Sequence, residues 1–135
     1  MIFIDTTIWV SGIDASDALH KDGSGVMQAL ADGRLPSAIT TDFVLDETLT
    51  LLKTRGGRVE AIIGAIDGIL SSSAVDLVYV DEELFGEALS TYKKYRKLSF
   101  TDAVTLTVMQ RRKVKEIFSH DRDFDLKGIV RKERP

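Results

Sequence analysis

Short apolar runs alternate along this chain with longer segments in which apolar residues recur every three or four positions. Short runs bounded by turn signals are typical of buried strands, and the three-to-four spacing is typical of helices that bury one face. Strands are therefore predicted at residues 2–5, 35–40, 75–80 and 116–119, with a last edge strand at 128–131. Helices are predicted at 16–31, 41–54, 58–70, 81–97 and 99–113.

Capping residues mark several ends of these helices. Thr40 or Thr41 can cap the second helix, and Ser99 or Thr101 can cap the fifth, because their hydroxyls accept bonds from free backbone N–H groups. Gly33 follows the first helix, in the place where a left-handed residue often ends one.

Two segments near the N-terminus are less regular. Residues 6–11 are predicted as a turn after the first strand, with Trp9 packed beneath it. Gly23 and Gly25 weaken the first helix, and a break is predicted near 22–24.

Strands and helices follow one another in an order typical of α/β proteins. This order predicts a parallel sheet covered by helices on both faces. The alternation is not strict, since two helix-to-helix steps are predicted at 56–57 and 98–99. A chain of 135 residues suits one domain, and residues 1–135 are taken as a single unit.

Composition excludes several classes of protein. The chain has no cysteine, which rules out disulfides and thiolate metal sites. No apolar run approaches the ~20 residues of a membrane span, and the start lacks the basic and long apolar regions of a secretory signal. A cytoplasmic protein that does not enter membranes is therefore expected.

The net charge of −3 hides an uneven distribution. Residues 1–90 hold 5 lysines and arginines against 15 acids, whereas residues 91–135 hold 13 against 6. Such asymmetry indicates either a surface that meets polyanions or several solvated helix faces.

Acids at the ends of predicted elements form the candidate site. Asp5 directly follows the first strand, and ligands of open parallel sheets lie outside the carboxyl ends of strands. Asp121 follows the fourth strand in the same way. We expect Glu47 and Asp102 to meet these two acids there.

Helical spacing distinguishes Glu47 from its neighbour Asp46. Glu47 shares a helix face with Phe43, Val44 and Leu51, whereas Asp46 lies on the polar face. A buried carboxylate is costly unless it is paired or binds a metal, so an ion pair with a lysine or arginine is the alternative for Glu47.

Asp102 and the acidic turn after the fourth strand have structural alternatives. Ser99 and Asp102 fit a capping box, a role compatible with a site at the start of that helix. Asp123 and Asp125 fit a solvated turn, and the segment lacks the glycine and distal glutamate of a calcium loop.

Four carboxylates at one point repel one another, which predicts a bound cation. Oxygen ligands alone favour a hard cation, Mg²⁺ or Mn²⁺. The two histidines do not make a zinc set: His20 is predicted at the surface, and His120 is adjacent to Asp121.

Four segments together resemble the PIN domain, in particular the VapC-type toxin ribonucleases. They are Asp5-Thr6-Thr7, Asp46-Glu47-Thr48-Leu49-Thr50-Leu51-Leu52, Phe100-Thr101-Asp102-Ala103 and Ser119-His120-Asp121-Arg122-Asp123-Phe124. Their order and spacing carry the resemblance, which extends from Asp5 to Phe124.

The resemblance implies a three-layer α/β/α fold with a central parallel sheet of four to five strands. It implies an endoribonuclease that depends on Mg²⁺ or Mn²⁺, with an antitoxin partner and a homodimeric state. The implied catalytic and metal-binding residues are Asp5, Glu47, Asp102 and Asp121. The implied supporting residues are Thr6, Thr7, Ser119 and Asp123, although the family often has threonine at the position of Ser119.

Basic and aromatic residues in the second half of the chain are candidates for RNA binding. The run at 93–97 and the cluster at 111–115 can hold phosphates, and Tyr92 and Tyr95 can stack on an unpaired base. Solvated helix ends are the alternative for both clusters.

Three other functions remain open at this point. A PIN nuclease in RNA processing needs no antitoxin, and a binding module with an inactive site needs no intact set of acids. A phosphatase of the haloacid dehalogenase type would use Asp5 as nucleophile. The pattern of that family requires a second acid two residues later, where this chain has Thr7.

Overall fold

A five-stranded parallel sheet forms the centre of the molecule, and the computed structural model describes all 135 residues. The strands are β1 Ile2–Ile4, β2 Ala38–Thr41, β3 Val75–Val78, β4 Glu116–Phe118 and β5 Val130–Lys132. The helices are α1 Thr6–Ile13, α2 His20–Ala31, α3 Asp42–Thr54, α4 Val59–Ser71, α5 Glu82–Lys94 and α6 Phe100–Arg112, with a 3-10 turn at Arg122–Phe124. The predicted three-layer α/β/α architecture is confirmed, and no helix has the length and hydropathy of a membrane span.

Strand β1 occupies the middle of the sheet, whose order is β3-β2-β1-β4-β5. Phe3 pairs with Ile39 of β2 on one side and Ile117 of β4 on the other. All three residues of β1 are buried, because helices cover both faces of the sheet. A strand in this position needs apolar side chains in both directions, which explains the unbroken run at its start.

The segment after β1 differs from its prediction. Residues 6–11 are not a turn, since α1 begins at Thr6 immediately after the strand. Trp9 lies in this helix and is 1% exposed. Its indole N–H donates to Thr40 Oγ1 at 3.2 Å, so the buried polar group is satisfied, as burial requires.

The predicted break in the first long helix is also wrong. Helix α2 begins at His20, later than expected, and continues through Gly23 and Gly25. A Cβ atom on Gly23 would lie 2.5 Å from the backbone nitrogen of Gly12. The glycine therefore permits close packing of α1 on α2, and this contact offsets its low helix propensity.

The predicted helix caps are largely as expected. Thr41 and Ser99 each accept a hydrogen bond from a backbone N–H in the first turn of their helices, as predicted. Asp81 caps α5 in the same way, although no cap was predicted there. Gly33 has φ +71°, the left-handed conformation expected after α2. Each of these caps fixes where a helix starts or stops relative to the sheet edge.

Candidate active site

Acidic residues from four separate segments line one cleft at the carboxyl ends of β1 and β4. The cleft has a volume of about 290 Å³. Its lining residues are Asp5, Thr6, Thr7, Glu47, Leu51, Lys97, Ser99, Asp102, Asp121 and Asp123. All four predicted acids are present, together with three of the four predicted supporting residues. The fourth, Ser119, is buried behind Asp5.

Two hydroxyl groups hold the Asp5 carboxylate. Ser119 Oγ donates to Asp5 Oδ2 at 2.7 Å, and Thr7 Oγ1 donates to the same oxygen at 3.0 Å. Each hydroxyl also accepts a backbone N–H, Thr7 from His120 at 2.9 Å and Ser119 from Asp121 at 3.0 Å. The loop after β4 is thereby tied to the end of β1, and Asp5 is held in one orientation.

Burial raises the pKa of Asp5 above its ordinary value. The hydrogen bonds from Ser119, Thr7 and the Thr6 backbone oppose this increase, whereas the nearby Glu47 adds to it. The hydroxyl donors therefore make a buried charge at Asp5 less costly.

Glu47 lies at the edge of the buried face of α3, and its side chain lines the cleft. The buried residues of α3 are Val44, Leu45, Thr48 and Leu52. Glu47 is only half-buried, so the predicted inward-facing stripe through Glu47 and Leu51 is displaced by one position around the helix. Thr6 Oγ1 donates to Glu47 Oε2 at 2.7 Å.

The structure also tests the ion-pair alternative for Glu47 and the predicted position of Asp46. No lysine or arginine forms an ion pair with Glu47, so the structural alternative for this residue is wrong. Asp46 is exposed on the polar face of α3, as predicted.

Asp102 is an almost fully buried acid of the cleft, in the first turn of α6. It is 9% exposed, and its backbone N–H donates to Ser99 Oγ at 3.1 Å, as a capping residue pair predicts. Burial raises the pKa of Asp102 to about 7, and the charges of Asp5, Asp121 and Glu47 add to this effect against an opposing hydrogen bond from Ser99. Ser99 therefore caps α6, and the carboxylate of Asp102 lines the cleft.

The acidic turn after β4 contributes two residues to the cleft. Asp121 Oδ1 accepts the backbone N–H of Asp123 at 2.8 Å and so starts the 3-10 turn. Asp125 is exposed and pairs with Arg131 at 2.7 Å instead. The prediction of a solvated turn is therefore correct for Asp125.

The donor set of the cleft consists of oxygen atoms only. As the side chains lie, no three carboxyl or imidazole groups are arranged around a common point that would hold a metal ion. Hydrogen bonds hold one oxygen each of Asp5, Glu47 and Asp121, and no side-chain donor binds the second oxygen. These second oxygens, with Asp102, are the groups that could bind a hard cation.

Neither histidine belongs to this donor set. His120 Nε2 lies 3.2 Å from Ser11 Oγ in a small neighbouring pocket, outside the cleft. His20, predicted at the surface, is half-buried, and its Nδ1 lies 2.8 Å from the Ser11 carbonyl oxygen. Nitrogen ligands are therefore absent from the cleft lining.

The predicted phosphate-binding clusters differ in their availability. Lys97 lines the cleft, whereas Arg111 pairs with Glu87 at 2.6 Å and Arg112 with Asp76 at 3.2 Å. The solvated-surface alternative therefore applies to both arginines.

One supporting residue was missed at the level of sequence. Arg131 of β5 donates from Nη1 to the carbonyl oxygen of Ser119 at 3.0 Å, and its side chain is 13% exposed. No local pattern marks this role, because it depends on how the last strand pairs with β4.

Substitution of Ser119 by alanine is expected to destabilise the fold by about 2 kcal/mol. The change leaves the Asp121 N–H without its acceptor and removes one of the two hydroxyl groups that donate to Asp5 Oδ2. Urea unfolding at neutral pH measures the effect. Ser119→Thr keeps the hydroxyl and is the control. A stability loss as large in the threonine variant would assign the effect to packing instead.

Comparison with known proteins identifies the family of this chain. The family model for the PIN domain matches residues 2–129. The chain therefore belongs to the PIN-domain family. Within the family, the relatives found are of the VapC type, which confirms the resemblance seen in the sequence motifs.

Two relatives are similar over nearly the whole chain. The 23S rRNA-specific endonuclease VapC20 of Mycobacterium tuberculosis is 33% identical over 132 residues, covering 96% of each chain. A VapC ribonuclease of Archaeoglobus fulgidus is 31% identical, covering 95% of this chain and 81% of that one.

Solved structures show the same fold. The crystal structure of M. tuberculosis VapC20, described as a sarcin-ricin loop cleaving toxin, superposes with a TM-score of 0.83 at 31% identity and full coverage of both chains. A toxin–antitoxin complex from Klebsiella pneumoniae has a TM-score of 0.67 at 17% identity, covers 96% of each chain and is evidence for the fold alone.

Proposed function

We propose that this protein is a divalent-metal-dependent endoribonuclease that hydrolyses RNA phosphodiesters, and that it is the toxin of a type II toxin–antitoxin pair. The observation that carries the proposal is the convergence of Asp5, Glu47, Asp102 and Asp121 in one cleft of a PIN-domain chain. Similarity to VapC ribonucleases over nearly the full length supports the RNA substrate. The proposed location of this activity is the cytoplasm.

The metal proposed for this site is Mg²⁺ or Mn²⁺, held by the same four acids. The fit rests on their oxygen-only chemistry and on the raised pKa of Asp102, which reflects mutual repulsion as well as burial. When bound, such an ion offsets the negative charge of the cleft, acidifies a water and polarises the phosphate.

The chain's own residues orient the groups of the reaction. Ser119 and Thr7 fix Asp5, and Thr6 fixes Glu47 through hydrogen bonds of 2.7 to 3.0 Å. A carboxylate of the cleft takes the proton of the attacking water. Lys97 is the one cation in the cleft lining. Its proposed role is to bind the phosphate beside the scissile bond.

Cleavage of mixed cellular RNA tests the proposal. The intact protein is expected to cut RNA with Mg²⁺ or Mn²⁺ and to be inactive in EDTA, with activity restored when the metal is returned in excess. Mn²⁺ is also expected to raise the melting temperature, because an ion that binds only the folded state stabilises it. Equal cleavage with and without chelator would contradict metal dependence.

An antitoxin is the proposed protein partner. The Klebsiella neighbour is a toxin–antitoxin complex, and a solved neighbour from Rickettsia felis is a VapBC2 complex bound to promoter DNA. A small DNA-binding protein encoded beside this chain would copurify with it and suppress cleavage. If RNA cleavage is found but no such partner exists, a nuclease of RNA processing is the better description. If the chain neither binds Mn²⁺ nor cuts RNA, it is an inactive binding module.

A homodimer is the proposed assembly. Phe85, Leu89 and Tyr92 form a stripe along α5 at spacings of four and three, and they are 46%, 37% and 44% exposed. Phe85 and Tyr92 also pack on Phe100, with ring centroids 5.0 and 5.9 Å away, which makes the patch continuous. A monomer in analytical ultracentrifugation at micromolar concentration would contradict this assembly.

A further inference from the structure

A second groove lies beside α6, separate from the acidic cleft. Its volume is about 390 Å³. Its floor and rim are formed by Tyr95, Leu106, Met109, Gln110, Lys113, Val114, Lys115, Leu126, Lys127, Gly128 and Ile129. The groove therefore combines an apolar floor, one aromatic ring and three lysines, and none of its lining residues is acidic.

The three lysines are available to a ligand. Lys113, Lys115 and Lys127 are exposed, and none of them forms an ion pair with an acid of the chain. Lys94 adds a further positive charge, since its Nζ lies 5.4 Å from the centre of the Tyr95 ring. Arg111 and Arg112 differ in this respect, because acids of α5 and β3 already pair with them.

Two segments of the chain line both the groove and the acidic cleft, at neighbouring positions. Leu106 lies one helical turn after Asp102 on α6, and Tyr95 lies two residues before Lys97, which lines the cleft. Asp102 and Lys113 are separated by about 17 Å along the helix, a distance that one strand of nucleic acid spans in a few nucleotides.

The charge of the cleft favours substrate binding by a basic surface outside it, because the substrate is a polyanion. Five acids and one lysine line the cleft, and the whole chain carries a net charge of −3. RNA affinity comes largely from neutralised phosphates, and beyond the bound ion the cleft has only Lys97 to neutralise them. A groove with three free lysines and an aromatic ring supplies both phosphate contacts and base stacking.

We infer that this groove, lined by Tyr95, Lys113, Lys115 and Lys127, binds the single-stranded RNA that flanks the scissile bond. The inference rests on the proposed ribonuclease function and deepens it by assigning where the substrate strand continues. The lysines hold phosphates, and Tyr95 stacks on an unpaired base. The groove affects substrate affinity and length dependence, and it takes no part in the chemical step.

The test compares wild type with a triple variant, Lys113→Gln/Lys115→Gln/Lys127→Gln. Both proteins are assayed on two RNAs that contain the same cleavage site, and this site is first mapped with wild type. The short RNA fills only the cleft, and the long RNA extends on both sides. For the long RNA, KM is expected to rise about tenfold or more while kcat is retained. The slope of log Kd against log salt is expected to fall by about two, as the loss of three single-strand phosphate contacts requires. Kinetics on the short RNA should not change.

Three further variants serve as controls and comparisons. Lys21→Gln/Lys53→Gln/Arg58→Gln removes the same net charge from other surfaces and should leave length dependence unchanged. Tyr95→Leu should weaken binding of the long RNA roughly tenfold, whereas Tyr95→Phe keeps the ring and should retain wild-type affinity. Circular dichroism and melting temperature verify that each variant is folded.

The outcomes separate the groove from the proposed function. If wild type cuts neither RNA under any metal condition, the ribonuclease proposal fails. If wild type cuts both and the groove variant retains the wild-type KM for the long RNA, the groove inference is overturned. It is also overturned if the groove variant keeps its RNA affinity but loses binding to an acidic partner protein.

Discussion

Replacement of Asp5 by asparagine is expected to reduce metal-dependent RNA cleavage roughly a thousandfold, equivalent to about 4 kcal/mol of transition-state stabilisation. Asparagine keeps an oxygen that can accept the hydroxyl hydrogens of Ser119 and Thr7, so the buried hydrogen bonds are retained. It removes the negative charge on which the proposed metal site depends. Initial rates of RNA cleavage with saturating Mn²⁺ measure the effect.

The matched control for this experiment is Asp46→Asn. Asp46 carries the same charge but lies exposed on α3, on the helix that also carries Glu47. The control should cleave RNA at the wild-type rate, and Asp5→Asn should melt at or above the wild-type temperature in EDTA, because a buried charge is lost. Normal cleavage by the Asp5 variant would mean that the acids of this cleft are not the catalytic site.

Replacement of Asp102 by asparagine is expected to stabilise the metal-free protein by about 2–4 kcal/mol at pH 8. The folded protein holds a proton on Asp102 up to a pKa of about 7, whereas the ordinary value is 3.8. Between these values the folded state binds more protons than the unfolded state, so wild-type stability falls as the pH rises from 4 to 7. Asparagine removes this penalty because it cannot ionise.

Urea unfolding in EDTA at about pH 5 and pH 8 measures the change. Wild type should be less stable at the higher pH, and the Asp102 variant should show a flatter dependence. Asp125→Asn is the control, since Arg131 lowers the pKa of Asp125 and the stability from that pair disappears only on acidification. A wild-type stability that increases from pH 5 to pH 8 would contradict the crowding of charge at Asp102.

The same variant separates stability from function. Asp102→Asn is expected to lose RNA cleavage although it gains stability, as is common where an active site concentrates like charges. Saturating Mn²⁺ should recover most of the stability that wild type loses at high pH, because the ion neutralises the cleft. The Asp102 variant should gain less from the metal than wild type.

Several features of the fold were predictable from local sequence alone. The central strand β1 has an unbroken apolar run because both of its faces are covered, and the acid that follows it marks the sheet edge. The capped starts at Thr41, Asp81 and Ser99 were predictable because a cap is a contact between residues three apart. Helix α1 was not predictable in this way, because it is stabilised by packing on α2 through Gly12 and Gly23.

The candidate site divides in a similar way. The sequence by itself determined which acids follow strand ends or open helices, because strand and helix periodicity are local properties. Only the tertiary structure decided that Glu47 faces the cleft from the margin of α3, that Ser119 and Thr7 share one oxygen of Asp5, and that Arg131 supports the Ser119 loop. Ser119 lies 114 positions from Asp5, Glu47 lies 41 positions from Thr6, and Arg131 meets Ser119 only because β5 pairs with β4. No local pattern encodes the distance between such residues.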